Sequence, residues 1–203
     1  MTSHSLVLAS ASPRRFELLR GLGLDFTVEP SHAEEPPPTA HELAEPAFYV
    51  ERLARLKASA CPAAGVIIAA DTIVELDGDI LGKPRSTEEA EAMLQRLRGR
   101  THRVFTGICV RQGERHRTAH ETTFVTFGHF SDLFVKLYVE TGEPMDKAGA
   151  YAAQGRGALL VERIEGDYWN VVGLPLNRLA RLLAEFDVRV ELAWGHAARE
   201  NAA

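Results

Sequence analysis

One run constrains this chain more than any other: Val66-Ile67-Ile68-Ala69-Ala70, five apolar residues in a row, opened by Gly65 and followed by Asp71-Thr72. A strand that alternates polar and apolar residues can leave one face wet, but an unbroken apolar strand needs cover on both faces. It belongs at the centre of a sheet with helices packed on either side. Asp71 is then expected at the strand's end, with Ile73-Val74-Glu75-Leu76 continuing extended to a turn at Asp77-Gly78.

The remaining segments supply the cover. Leu6 to Ser10 reads as a short buried strand, and Ser12-Pro13 as the start of a helix that ends at Gly21 or Gly23. Pro30 to Pro46 is rich in proline and acid, which predicts an exposed loop that lines or covers a site. Phe48 to Ala60 carries Val50, Leu53 and Leu56 at helical spacing, and Ser86 with Glu89 forms a capping-box pattern before Met93, Leu94 and Leu97. His102 to Arg111 and Thr122 to Phe127 read as neighbouring strands. Ser131 caps a helix ending at Gly142, and Ala158 to Val161 reads as a further strand. Leu176, Leu179, Leu182 and Leu183 mark a C-terminal helix. Strands alternate with helices throughout, so the predicted fold class is α/β with a central mixed sheet. Residues 1–194 are expected to form a single domain, and 195–203 a flexible tail.

Charge and composition narrow the function. A hydrophobic fraction of 45% with 25% charged residues fits a globular protein, and 203 residues bury a core without staples. The formal net charge of -5 argues against a nucleic-acid polymer as partner, though not against a local basic cleft. Cys61 and Cys109 match no metal-ligand spacing and fit a reducing compartment. Neither a signal peptide nor a run of roughly 18 apolar residues is recognisable, so the expected location is the cytoplasm, without a membrane partner.

Four segments could carry chemistry. Ser10-Ala11-Ser12-Pro13-Arg14-Arg15 lies at a strand-to-helix junction, where free N–H groups, hydroxyls and guanidinium forks suit phosphate; a capped helix with solvated arginines fits the spacing equally well. Asp71-Thr72 closes a buried strand, where an acid could hold a divalent metal or take a proton from water. Gly82-Lys83-Pro84 offers a lysine on a turn, and Lys57 a lysine on an amphipathic helix; each alone reads as solvated surface. In Asp146 to Gly155, Gln154 could read a base edge and Tyr151 could pack near a ring, although composition alone favours a tightly packed helix. Glu34 and Glu35 sit in the proline-rich loop, and the eight histidines show no ligand pattern. No Walker A loop, GxSxG elbow or HExxH helix is present.

Together the stretches LASASPRR (8–15), LARLKA (53–58), AADTIV (69–74), ILGKP (80–84), RVFTG (103–107), TGEPMDKAGAYAAQG (141–155) and EGDYWNVVGLPLNRL (165–179) resemble the Maf family, in its order. The resemblance implies a Maf/ITPase-like α/β fold with a central mixed twisted sheet flanked by helices, two lobes about a cleft, and often a homodimer. It implies metal-dependent (Mg²⁺ or Mn²⁺) cleavage of a small-molecule nucleoside triphosphate between the α- and β-phosphates. Asp71 matches the family's general base, and Glu35 the acid sharing metal and water work with it; Glu34 competes for that place. Ser10, Arg14, Arg15, Lys57 and Lys83 match the phosphate-contacting set, and Arg14, Thr72 and Gln154 the positions tied to substrate choice. The DKAGAYxxQG form resembles the dTTP/UTP branch. A nucleotide-binding regulator of septum formation with little turnover, and the same chemistry on 7-methyl-GTP, are the alternatives.

Overall fold

The computed structural model describes residues 5–194, so the expected tail at 195–203 lies outside the described residues, as do residues 1–4. Seven strands form one mixed sheet: β1 (Leu6–Leu8), β2 (Phe26–Val28), β3 (Val66–Leu76), β4 (Asp79–Leu81), β5 (Thr101–Gln112), β6 (Arg115–Phe127) and β7 (Val161–Glu165). Their order is β2-β1-β3-β5-β6-β7, with β4 on β3. Helices α1 (Pro13–Gly21), α2 (Ala40–Ala44), α3 (Pro46–Ala60), α4 (Thr87–Leu97), α5 (Asp132–Glu140), α6 (Tyr168–Val172) and α7 (Leu176–Ala184) flank it. None of the described helices is long and apolar enough to cross a membrane.

The apolar run behaves as its composition requires. On one face of β3, Ile67 and Ala69 pack with Ala54, Ala58 and Cys61 of α3 and its end, while Ile73 meets Tyr49, Val50 and Leu53. On the other face, Val66, Ile68 and Ala70 join Leu19 of α1 with Leu179, Leu182 and Leu183 of α7. A separate core forms where Val74, Leu76 and Leu81 meet Leu94 and Leu97 of α4 and Val135, Tyr138 and Val139 of α5. Both cysteines are buried free thiols.

Asp71 does not end a strand. β3 runs unbroken for 11 residues with Asp71 in its middle, because the apolar pattern resumes at Ile73 and the strand folds back only at Asp77-Gly78. What changes at Asp71 is the neighbouring strand. Along one edge of β3, β1 pairs in parallel with Val66–Ile68 and β4 pairs antiparallel with Val74–Leu76. Residues 69–73 lie between these two partners, so the sheet has a gap on that edge and Asp71-Thr72 open into it.

Three other expectations change. The strand expected at 158–161 begins later: Gly155–Leu160 forms a 3-10 helix and β7 starts at Val161, with Gly155 at φ +66° turning the chain. Residues 146–155 hold a short 3-10 helix, Ala148–Ala150, rather than a packed α-helix, since Gly149 and Ala150 adopt positive φ. The Ser86 pattern is half a capping box: Ser86 accepts from Glu89 N–H, but the Glu89 carboxylate turns to Arg85.

The proline-rich loop also holds the short helix α2, begun by a full capping box between Thr39 and Glu42. Glu42 is buried and accepts a two-pronged bond from Arg52 on α3, which holds its carboxyl down at about 2. An acid lowered on folding contributes stability above its unfolded value, 4.5 here, and loses it as pH falls through about 2. Glu42→Gln is therefore expected to cost about 1–2 kcal/mol at pH 7. The deficit should shrink at pH 3 in urea melts; an equal deficit at both pH values would show that the charge contributes nothing.

Candidate active site

The gap in the sheet opens into a cleft of about 640 Å³. Its floor is residues 71–74 of β3, its rim the Ser10–Arg15 junction, and its far wall Gly82-Lys83 with Asp146–Ala148 and Tyr151–Gln154. All of Ser10, Arg14, Arg15, Glu35, Lys57, Asp71, Thr72, Lys83 and Gln154 line it. Five cationic side chains (Arg14, Arg15, Lys57, Lys83, Lys147) face three acids (Glu35, Asp71, Asp146) there, so a chain of net charge -5 keeps a positive cleft.

Asp71 faces α3. In the sheet it lies opposite Gly107 of β5, where a Cβ would come within 2.3 Å of the Val50 carbonyl on α3. Glycine at 107 thus lets α3 seat hard on the sheet and bring Lys57, two turns on, down to Asp71. The Lys57 ammonium donates to the Asp71 carboxylate at 2.5 Å and pairs with Glu35 at 2.8 Å. The helix pattern alone makes Lys57 a surface residue; the closeness of α3 makes it a partly buried link between two acids. Glu34 and Glu35 are both exposed, but Glu35 is the one whose carboxylate pairs with Lys57 at the site. Burial raises the Asp71 carboxyl above its ordinary 3.8 and outweighs the opposing pull of Lys57 and Arg15.

Thr72 faces the opposite side, towards α1 and α6. There Arg15 is spent almost wholly inside the protein. Its Nε–H donates to the Gly173 carbonyl at 2.8 Å and Nη1 to the Ala70 carbonyl at 2.9 Å. It donates further to Ser10 Oγ at 3.2 Å and to Thr72 Oγ1 at 3.1 Å. Ala70 O lies in the gap of the sheet, so the guanidinium replaces a missing strand. Arg14, by contrast, pairs among the described residues only with Asp146, at 3.5 Å.

The sequence pattern missed Asp146-Lys147 as part of the wall, where Lys147 donates to the Asp146 carboxylate at 2.5 Å. Their place in a run of small residues hid them. Tyr151 lines the wall but is held in the core: its hydroxyl bonds His102 Nε2 at 2.8 Å, and its ring meets Phe127 edge-on.

The Maf-like protein family model matches residues 5–186. A dTTP/UTP pyrophosphatase of Moorella thermoacetica is 52% identical over 94% of this chain and 97% of its own. That of Symbiobacterium thermophilum is 50% identical over 89% and 93%. The chain belongs to the Maf family. The Maf match spans both the cleft and the core, and the dTTP/UTP pyrophosphatase of Thermococcus onnurineus is 50% identical over 87% of this chain and 95% of its own. Among solved structures, the Ham1 protein of Staphylococcus aureus is similar at a TM-score of 0.45 and 20% identity, over 61% of this chain and 71% of that one. That likeness is too slight to bear on the Maf site.

Proposed function

We propose that this cleft hydrolyses dTTP and UTP to the monophosphate and pyrophosphate, with Mg²⁺ or Mn²⁺ as cofactor. The observation that carries the reading is one buried carboxylate, Asp71, joined through Lys57 to Glu35 at the floor of a positive cleft. The relatives' names support the choice of substrate.

The donor set fits a divalent cation. Asp71 and Glu35 both pair with the same ammonium, so the two carboxylates stand near enough to each other to hold one cation between them. No group of three or more His, Cys, Asp or Glu side chains gathers among the described residues. Two carboxylates, with the remaining ligands from triphosphate and water, is how Mg²⁺ is commonly held. When bound, the cation supplies charge neutralisation on the phosphate oxygens.

The chain's own residues do the rest. Arg14, Lys83 and Lys57 bind and orient the triphosphate, with the free hydroxyl valence of Ser10 beside them. Asp71 takes the proton of a water whose oxygen attacks the α-phosphorus; the α–β bridging oxygen leaves on pyrophosphate. The raised affinity of Asp71 for a proton suits a base, and Arg15 holds the Thr72 side of the floor rigid.

Product analysis tests the reading directly. Metal-dependent dTMP or UMP with pyrophosphate is expected; release of orthophosphate would place the cut at another bond and overturn it. A second expectation concerns Lys57→Met. Without the ammonium, Asp71 loses the partner that pulls its pKa down, so the acid limb of the pH–rate profile should move upward by about one unit or more. An unmoved limb would mean that Asp71 is not the titrating base.

A further inference from the structure

The segment Asp167–Gly173 touches no reacting group, yet it is bound to the floor of the cleft by a buried chain of hydroxyls. Thr106 on β5 is fully buried and pairs across the sheet with Thr72. Its Oγ1 donates to the Asn170 carbonyl at 2.9 Å and lies 2.9 Å from Thr72 Oγ1. Asn170 is itself held: its amide donates to Val104 O and to Thr123 Oγ1, each at 3.0 Å. Thr123 in turn accepts from Asp167 N–H and donates to Asp167 O.

The direction of each proton follows from counting. A hydroxyl has one hydrogen and two lone pairs. The Asn170 carbonyl can only accept, and two oxygens 2.9 Å apart with no hydrogen between them would repel. Thr106 therefore gives its hydrogen to Asn170 and accepts from Thr72. Thr72 thus spends its own hydrogen on Thr106, while one of its lone pairs takes the Arg15 N–H. What remains on Thr72 for a ligand in the cleft is a single lone pair.

We propose that Thr106, held by Asn170, is a specificity-positioning residue: it fixes the Thr72 hydroxyl as an acceptor and so selects nucleotides that present an imide N–H. This rests on the nucleotide reading above. Thymine and uracil share that N3–H; the 2′ position differs between dTTP and UTP, and the 3′ hydroxyl is common to CTP as well, so N3–H is the shared donor by which an acceptor tells this pair from CTP. Cytosine presents a lone pair at N3 and would meet lone pair against lone pair. Gln154 cannot impose the choice, because its amide carries donor and acceptor and, among the described residues, nothing bonds it; it can turn over to suit either base.

The test is binding rather than turnover. Titration of UTP and CTP in EDTA should show the parent protein preferring UTP by at least about tenfold, the scale of a mispaired buried polar group. Thr106→Val keeps the shape but takes neither hydrogen nor lone pair, which frees the Thr72 hydrogen; the ratio is expected to fall towards one. Thr106→Ser should restore it. If Thr106→Val does not fold, Thr72→Val reads the same point and should also erase the preference. A folded Thr106→Val with the preference intact, or a parent protein with none, overturns the proposal. A parent that prefers UTP but cleaves neither nucleotide overturns the pyrophosphatase reading and leaves the relay standing.

Discussion

An Asp71→Asn protein is expected to lose at least about 100-fold in turnover, the low end for a lost general base, and to melt no lower than the parent. The two halves come from the same burial. Asp71 is 7% exposed, and burial raises its carboxyl above the ordinary value despite Lys57 at 2.5 Å. A group whose folded pKa is raised adds its stability below the unfolded pKa and loses it as pH rises through the folded one. At neutral pH the ionised Asp71 is thus a burden on the fold, and asparagine removes it while keeping the shape. Lys57 keeps Glu35 as a partner, so the change strands no charge. Steady-state rates on dTTP with thermal melts of both proteins decide the matter. Near-normal turnover would remove Asp71 from the chemistry. A melting point lower by more than about 5 °C, roughly 1–2 kcal/mol for a chain of this size, would show that the ion pair outweighs the burial.

Site and sequence correspond unevenly, and the reasons are physical. The α/β class was legible because Val66–Ala70 admits only a strand covered on both sides. Asp71 stood out too, though for a reason the structure replaces: not a strand's end, but a place where β3 is between β1 and β4. That gap depends on where two distant strands stop, which no local pattern records. Lys57 was hidden for a similar reason. Its exposure is set by how near α3 lies to the sheet, and that distance is set at Gly107, 50 residues along the chain, opposite Asp71. The strand expected at 158–161 was placed three residues early, because four apolar residues do not distinguish a strand from a turn of 3-10 helix; Leu159 is in fact largely exposed and β7 starts at Val161. Thr106 and Asn170 lie within quoted stretches, RVFTG and EGDYWNVVGLPLNRL, but nothing there singled them out, since a threonine in a strand and an asparagine in a short helix are ordinary. Only the register of β3 with β5 makes them one network.

The adjacent arginines make the second large prediction, because sequence alone treats them as a pair. Successive residues on a helix point about 100° apart, so one guanidinium can face the cleft while its neighbour enters the gap in the sheet. Arg15 has five N–H groups and commits at least four of them, to Gly173 O, Ala70 O, Ser10 and Thr72. Burial also lowers its pKa, so it carries its charge at some cost that those acceptors offset. Arg15→Ala leaves two carbonyls and two hydroxyls without that donor, and an unmet buried acceptor costs about 1–3 kcal/mol. A loss of about 3 kcal/mol or more is expected, or a melting point lower by roughly 6–12 °C for a chain of this size. Among the described residues Arg14 has one half-exposed ion pair, with Asp146 at 3.5 Å. Its alanine variant should melt within about 2 °C of the parent, as the loss of an exposed ion pair does. Its KM for dTTP should instead rise by about 10- to 100-fold, for a lost charge-assisted phosphate contact. Melts and KM values on the two variants separate the roles. If Arg14→Ala is the one that melts low, or Arg15→Ala melts with the parent, then Arg15 does not fill the gap between β1 and β4, and another group must satisfy the carbonyl of Ala70.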